Sequence, residues 1–181
     1  ERDIAAVGTD ADGRDVRAFE AHSDLPDDSM GWYVDLDEPL DGERVIGSAR
    51  VNGRAVIVSS MAPTISTGCE NDGAGFLNAI DMFTGTSPEA ASGGGPASFF
   101  DLDGDGTGTS DGDFLTDADG NRVGVGSLDT GVGAHYDSRN VDGDYVICGS
   151  NGTCELVDGG ENEGGAGESK RLSWRELFEE D

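Results

Sequence analysis

The chain has 181 residues, of which 38 are acidic and 11 are basic, so its formal net charge at pH 7 is -27. Such a charge repels phosphate backbones and anionic lipids, which excludes nucleic-acid binding and membrane-surface binding. No apolar run is long enough to span a bilayer, so no membrane insertion is expected. The acidity itself has two interpretations, a solvated surface adapted to high salt or a surface that binds divalent cations.

The composition predicts an all-β fold. Only 35% of the residues are hydrophobic and 30 are glycine, so the core must come from short antiparallel strands and tight Gly/Asp-rich turns. Residues from Ile4 to Val7 form the first predicted strand, followed by a turn at Thr9–Gly13. The same five letters recur at Thr116–Gly120. An early aspartate and a final glycine favour a strand-connecting turn in both places.

The next predicted strand is Gly31–Leu36, with the sequence GWYVDL. Its apolar side chains alternate with polar ones, which is the period of a half-buried strand. We therefore expect Trp32 to belong to the core and not to a ligand-stacking platform.

The segment Arg44–Gly85 contains two strand-like runs and a turn signal. Val51 precedes an Asn52-Gly53 pair and Ala55–Val58 follows it, a pattern that predicts a β-hairpin with both turn residues at positive φ. A third strand is predicted from Phe76 to Phe83. It should end at Asp81, Thr84 and Gly85, where the aspartate accepts hydrogen bonds from the turn.

The second half of the chain alternates loops with short apolar runs. Thr86–Pro96 is predicted to be a surface loop, and Phe99 and Phe100 should return the chain to the core. The later predicted strands contain Val123, Val125, Leu128 and Tyr145–Ile147.

Three segments are predicted: a β-rich domain at 1–158, an acidic Gly-rich linker at 159–169, and a short helix at 170–181. The linker has too few apolar side chains to offset the entropy of ordering. In the last segment Ser173 and Glu176 form a capping box, and Trp174, Leu177 and Phe178 share one helical face. That face should dock on the β domain.

The strongest candidate site is the run Asp101–Thr107. Carboxylates stand at its first, third and fifth positions and glycine at its sixth, which is the pattern of an oxygen-ligand calcium loop. The predicted ligands are Asp101, Asp103, Asp105, the carbonyl of Thr107, and Asp111. The twelfth position is Gly112, so the loop does not close as an EF-hand does. The alternative is an Asp-Gly-rich surface turn.

The three cysteines are Cys69, Cys148 and Cys154. A three-residue loop with Gly152 in the left-handed region would place Cys148 opposite Cys154, within disulfide reach. A bridge there implies an oxidising compartment. Two alternatives stay open: free thiols, or Cys69 bonded to one of the pair or to another subunit.

No enzyme constellation is found. His22 and His135 are the only histidines, and neither has a nucleophile or a metal-ligand spacing beside it. The sequence also lacks a nucleophile elbow and a phosphate loop. We expect a non-enzymatic protein, with a quinoprotein-like enzyme fragment as a remote alternative.

Several blocks together resemble a known family. They are GWYVDL, GERV, VIVSSMAP, GFLNAIDMFTG and LSWREL, in this order between Gly31 and Leu177. In kind and order they are similar to blocks in the C-terminal part of the PilY/PilC-type adhesins, which lie at the tips of bacterial type IV pili. The resemblance implies a β-propeller-like domain. Because a blade needs about forty residues, a chain of this length would form only a partial propeller.

The resemblance also implies a function. In that family the domain is exported, binds calcium and supports pilus assembly and adhesion, and its calcium loop has a carboxylate at the ninth position. Here that position is Thr109, which joins the candidate ligands. The implied partners are pilus subunits or copies of the chain itself, and a host or surface receptor. The presented surface should include the loops Cys69–Ala74 and Thr86–Pro96. The alternative is a filament-forming or sheath subunit built on the same β domain.

Overall fold

The computed structural model describes residues 1–63, 73–88, 96–133, 135, 138–141 and 144–159. Within these ranges the chain is almost entirely β-structure, with one short 3-10 helix at Asp111–Asp113. The strands are β1 (Ile4–Thr9), β2 (Asp15–Phe19), β3 (Arg44–Val45), β4 (Arg50–Asn52), β5 (Ala55–Pro63), β6 (Gly73–Asp81), β7 (Phe114–Thr116), β8 (Arg122–Gly124), β9 (Ser127–Asp129), β10 (Ser138–Val141), β11 (Asp144–Cys148) and β12 (Cys154–Val157).

The strands form three sheets. The main sheet has the order β1-β2-β9-β6-β5-β3, and β4 also pairs with β5. A second sheet contains β10-β11-β12 and a third contains β7 and β8. All strand pairings within these sheets are antiparallel, so the predicted all-β antiparallel class is confirmed. The propeller arrangement stays a prediction, and the predicted helix at 170–181 lies outside the described residues.

The core lies between one face of the main sheet and the second sheet. Val16, Leu77 and Leu128 stand side by side across β2, β6 and β9. The buried cluster that they join also contains Ile57, Phe99, Phe100, Val125, Tyr145, Ile147 and Val157. The predicted return of Phe99 and Phe100 to the core is therefore confirmed, as is the burial of the later apolar runs.

The two turns with the shared letters have the same structure. In each turn the first aspartate accepts the backbone N–H groups of the residues two and four positions later. Asp10 accepts those of Asp12 and Arg14. Asp117 accepts those of Asp119 and Asn121. The closing glycine has positive φ, 81° at Gly13 and 85° at Gly120. The turns connect β1 to β2 and β7 to β8, as predicted.

The hairpin of β4 and β5 forms where it was predicted, but its turn is shifted by one residue. Asn52 pairs with Ala55, so the loop consists of Gly53 and Arg54 and not of Asn52 and Gly53. Gly53 has φ 59°, and a glycine first in a two-residue loop is what a type II′ turn requires. Asn52 stays in the strand, where its amide donates to the Tyr145 hydroxyl at 2.7 Å.

The third predicted strand is also present, and it ends at Asp81. The Asp81 carboxylate accepts the N–H groups of Phe83 at 2.9 Å and Thr84 at 3.1 Å. Gly85 follows with φ 73°. The aspartate therefore closes this strand in the way that its position in the sequence predicts.

The predicted strand at Gly31–Leu36 is wrong. Only Val34 forms an isolated bridge, to Arg2, because no described strand runs beside this segment. Trp32 is nevertheless half-buried. Its indole N–H donates to the Met82 carbonyl at 3.1 Å, and its ring covers Gly85 so closely that a Cβ there would lie 2.5 Å from it. Trp32 thus packs against the domain, as predicted, from a segment without regular structure.

The predicted surface loop Thr86–Pro96 is wrong at its start, because Thr86, Ser87 and Pro88 are buried. The Ser87 hydroxyl contacts the Phe19 carbonyl at 3.0 Å and the Gly124 carbonyl at 2.8 Å, so this segment connects two sheets. Residues 89–95 lie outside the described residues, as do Cys69 and most of its loop.

Candidate metal centre

Four aspartates converge in the loop between Phe100 and β7. Asp101, Asp103, Asp105 and Asp113 each place one carboxylate oxygen within 4.8 Å of the other three. Asp101 and Asp113 are buried, whereas Asp103 and Asp105 are exposed. The site is therefore a cup with two buried walls and an open rim. Phe100, which is fully buried, anchors its first residue to the core.

The first half of the cup is shaped by Asp101. Its two oxygens accept the N–H groups of Gly104 and Gly106, both at 2.7 Å. These glycines have φ values of 76° and 86°, which residues with a Cβ rarely adopt. The spacing of aspartate and glycine therefore folds the loop back over the first ligand.

The second half is closed by Asp113. Its carboxylate accepts the Leu102 N–H at 2.7 Å and both the N–H and the hydroxyl of Ser110, at 3.1 and 2.9 Å. Gly112 lies directly against Asp103, because a Cβ at this position would be 2.4 Å from its carboxylate. A glycine is required there to let the two ends of the loop meet.

No basic side chain of the described residues neutralises these carboxylates. None of the four takes part in an ion pair within the described part of the chain, whereas Asp111 beside them pairs with Arg122 at 3.1 Å. Burial raises the pKa of Asp113, and the charges of Asp103 and Asp101 raise it further, although hydrogen bonds from Leu102 and Ser110 oppose the shift. A hard divalent cation bound among the four would relieve this repulsion.

The donor set fits calcium. Carboxylate oxygens are the ligands that Ca²⁺ prefers, and it completes six to eight positions with carbonyls and water. Asp101, Asp103, Asp105 and Asp113 would hold the ion. The ion would fix the loop and neutralise its charge.

The structure places the remaining predicted ligands as follows. Thr107 lies on the rim, where its N–H and hydroxyl donate to Asp105 at 2.9 Å. The carbonyl of Thr109 accepts a hydrogen bond from Arg122 at 3.1 Å. Asp111 is fully exposed and does not join the four-carboxylate cluster. Asp113, which the sequence analysis did not choose, does join it. The sequence contains one indication of this role: Asp113 directly follows Gly112, the residue at the position where an EF-hand has its twelfth ligand.

The Cys148–Cys154 disulfide is present, with an S–S distance of 2.04 Å and a Cα–Cα distance of 4.0 Å. Cys148 pairs directly with Cys154 across β11 and β12, and Gly152 has φ 81°. The predicted hairpin geometry is confirmed. Free thiols at Cys148 and Cys154, and a bond from either of them to Cys69, are therefore excluded. Cys69 lies outside the described residues.

A buried polar network lies on the other face of the main sheet, and the sequence pattern did not predict it. Arg17 is fully buried and contacts both carboxylate oxygens of Glu43, at 2.5 and 2.7 Å. It also donates to Ser127 at 2.9 Å and to Asn78 at 2.7 Å. The network connects β2, β9 and β6 to the segment before β3, so it has a structural role.

His135 is also buried. Its Nδ1 lies 3.3 Å from the Gly133 carbonyl, and its Nε2 has no hydrogen-bond partner among the residues that the structure describes. Burial lowers the pKa of this imidazole, although Gly133 and the charge of Asp129 oppose the shift. No described helix is long and apolar enough to cross a membrane.

Together, fold and site define an antiparallel all-β domain with an aspartate-lined loop and a disulfide-closed hairpin. The structure is similar to the crystal structure of the PilY1 C-terminal domain of Pseudomonas aeruginosa, with a TM-score of 0.55 and 22% identity. The match covers 88% of this chain and 32% of that chain, and at this identity it shows the fold.

The sequence comparison agrees with this likeness. Over 58 residues, 30% of the chain, it is 43% identical to a type IV pilus biogenesis factor PilY1 homolog of Xylella fastidiosa (strain Temecula1 / ATCC 700964), of which it covers 5%. No family model matches the chain. The predicted resemblance to the C-terminal domain of the PilY/PilC-type proteins is therefore confirmed, in a chain that spans only part of these relatives.

Proposed function

We propose that this chain is an extracellular, calcium-binding module of a type IV pilus system. The observation that carries the proposal is the four-aspartate cup, set in a fold similar to the PilY1 C-terminal domain. The name of the Xylella relative, a pilus biogenesis factor, supports the connection with pili. Fold likeness alone would not assign a function, so the site has to be tested separately.

The module acts by binding and assembly, without catalysis. Among the described residues, four clustered carboxylates form the cup, Asp81 closes a turn, and Glu43 pairs with the buried Arg17. The disulfide supports an oxidising location such as the cell surface or the pilus. The proposed partners are pilus subunits and a host or surface receptor. Long ordered polymers of the purified chain would instead favour a filament or sheath subunit.

Calcium titration of the full chain tests the site. We expect calcium to raise the unfolding temperature, since an ion that binds only the native state stabilises it by about 2.7 kcal/mol at a hundredfold excess over its Kd. The double variant Asp103→Ala, Asp105→Ala should lose this effect, because two of the four carboxylates are removed.

Two controls separate binding from charge screening. The variant Asp27→Ala, Asp28→Ala removes the same charge from an exposed loop and should keep the calcium effect. Sodium chloride at matched ionic strength should not reproduce it. If salt alone stabilises wild type to the same extent, the cup is a surface turn and the acidity is an adaptation to salt.

A further inference from the structure

One arginine holds the outer side of the aspartate cup. Arg122 is the first residue of β8, and its guanidinium donates to the Thr109 carbonyl at 3.1 Å and to the Ser110 carbonyl at 2.7 Å. It also pairs with the Asp111 carboxylate at 3.1 Å, and its central carbon lies 3.6 Å from the centroid of the Phe114 ring. One side chain therefore contacts the chain on both sides of the buried carboxylate that closes the cup.

The β7–β8 hairpin places Arg122 in this position. Thr116 pairs with Arg122 and Phe114 pairs with Gly124, so Phe114 and Arg122 are diagonal neighbours on one face of the hairpin. A planar guanidinium can stack on a ring and still donate several hydrogen bonds, whereas an ammonium group presents a single point charge. The combination of contacts therefore favours arginine over lysine.

These contacts decide which oxygen atoms face the cup. The Thr109 and Ser110 carbonyls and the Asp111 carboxylate all contact the guanidinium. Ser110 is held from two sides, because its N–H and its hydroxyl donate to Asp113 at 3.1 and 2.9 Å. Asp113 therefore joins the four-carboxylate cluster, and Asp111 is kept outside it by its pairing with Arg122.

We infer that Arg122 is a positioning residue of the cup, which fixes residues 109–114 so that Asp113, and not Asp111, is presented to the ion. The inference rests on the proposed calcium-binding function. An exposed ion pair alone contributes little, so the two carbonyl bonds and the ring contact provide most of the hold. Selectivity between Ca²⁺ and Mg²⁺ depends on cavity size, ligand number and flexibility. Arg122 should therefore support the preference of the cup for calcium as well as its affinity.

Calorimetric titration of the full chain with calcium, and separately with magnesium, tests this role. The double variant Arg122→Met, Asp111→Asn removes the guanidinium and keeps the net charge of the chain, so long-range charge cannot explain its effect. We expect the Kd for calcium to rise several-fold. The Kd for magnesium should rise less, because Mg²⁺ retains several waters and uses fewer protein ligands.

The matched control is Arg14→Met with Asp12→Asn. It removes an arginine and an aspartate that lie 3.8 Å apart at the turn between β1 and β2, and it also keeps the net charge. Both Kd values should stay as in wild type. The unfolding temperature without metal is measured for each variant, because a purely structural role would lower this temperature without changing the ratio of the two affinities.

A conservative variant separates geometry from charge. Arg122→Lys keeps the charge but cannot make both carbonyl bonds while it rests on the ring, so it should also lower the affinity ratio of calcium to magnesium. A lysine variant that matches wild type would show that charge alone is sufficient, which would overturn the positioning role.

Two further outcomes would contradict the inference. A wild-type affinity ratio in the double variant, or an equal loss in the Arg14 control, would remove the role of Arg122 and leave the calcium function intact. Wild type that binds no calcium would instead contradict the proposed function, and this inference with it.

Discussion

At the scale of single residues, the buried polar groups determine how this small core is held together. Arg17 and Glu43 form a fully buried ion pair, with side-chain exposures of 0% for both. A buried pair contributes little over an apolar replacement, but removal of one partner leaves an uncompensated charge. The network should therefore respond differently to single and double replacement.

Glu43→Gln should lower the free energy of unfolding by about 3 kcal/mol or more, because the Arg17 charge stays buried. Arg17→Met with Glu43→Leu should cost less than this single change. Urea unfolding of the variants measures both effects. Equal losses in the single and double variants would show that packing, and not the charge, is responsible.

His135 makes stability depend on pH. Its folded-state pKa is lowered by burial, so below about pH 6.5 the unfolded chain binds a proton that the native chain does not. As the pH is lowered from about 6.5 toward the folded-state pKa, the free energy of unfolding should therefore decrease. The decrease is at most about 1.4 kcal/mol per pH unit.

Urea unfolding between pH 7 and 5.5 measures this slope. His135→Gln should flatten it. Asp129, whose pKa burial raises, titrates in the opposite sense, so the comparison with His135→Gln isolates the histidine. A slope that survives His135→Gln would assign the dependence to other groups.

At the scale of elements, the β11–β12 hairpin carries three core residues, Tyr145, Ile147 and Val157. Its disulfide closes a short loop, with a sequence separation of 6. In the chain-entropy model a closed loop of this size stabilises by about 2 kcal/mol.

Replacement of Cys148 and Cys154 by serine should therefore lower the free energy of unfolding by about 2 kcal/mol. Guanidinium unfolding measures the loss, and reduction of wild type should reproduce it. A double-serine variant as stable as the oxidised protein would show that strand pairing alone holds the hairpin.

The elements that were predicted correctly are encoded locally. Asp10 and Asp117 close their own turns, Gly152 permits the cysteine hairpin, and Asp81 ends β6 through its own neighbours. Each of these contacts spans a few residues, so the sequence pattern is sufficient to predict it.

What was missed depends on distant contacts. The burial of Arg17 arises from pairing of β2 with β9, more than a hundred residues later. Asp113 joins the metal centre through the Leu102 N–H and through the absence of a side chain at Gly112. The segment around Trp32 is held by the contact of that indole with a turn fifty residues away, and not by the strand pairing that its alternating sequence predicted. No local pattern encodes which segments meet.

At the scale of the whole molecule, the chain has a net charge of -27, and short strands joined by glycine-containing turns form its core. Cation binding would reduce the repulsion among the four clustered carboxylates of Asp101, Asp103, Asp105 and Asp113. This physical character agrees with the proposed role in pili.

The central claim is tested most directly by deletion of the gene, with pili counted by electron microscopy and attachment measured on a surface. We predict fewer pili or weaker attachment, restored by the wild-type gene and by Asp27→Ala with Asp28→Ala but not by Asp103→Ala with Asp105→Ala. Normal piliation together with normal attachment in the deletion strain would contradict the account.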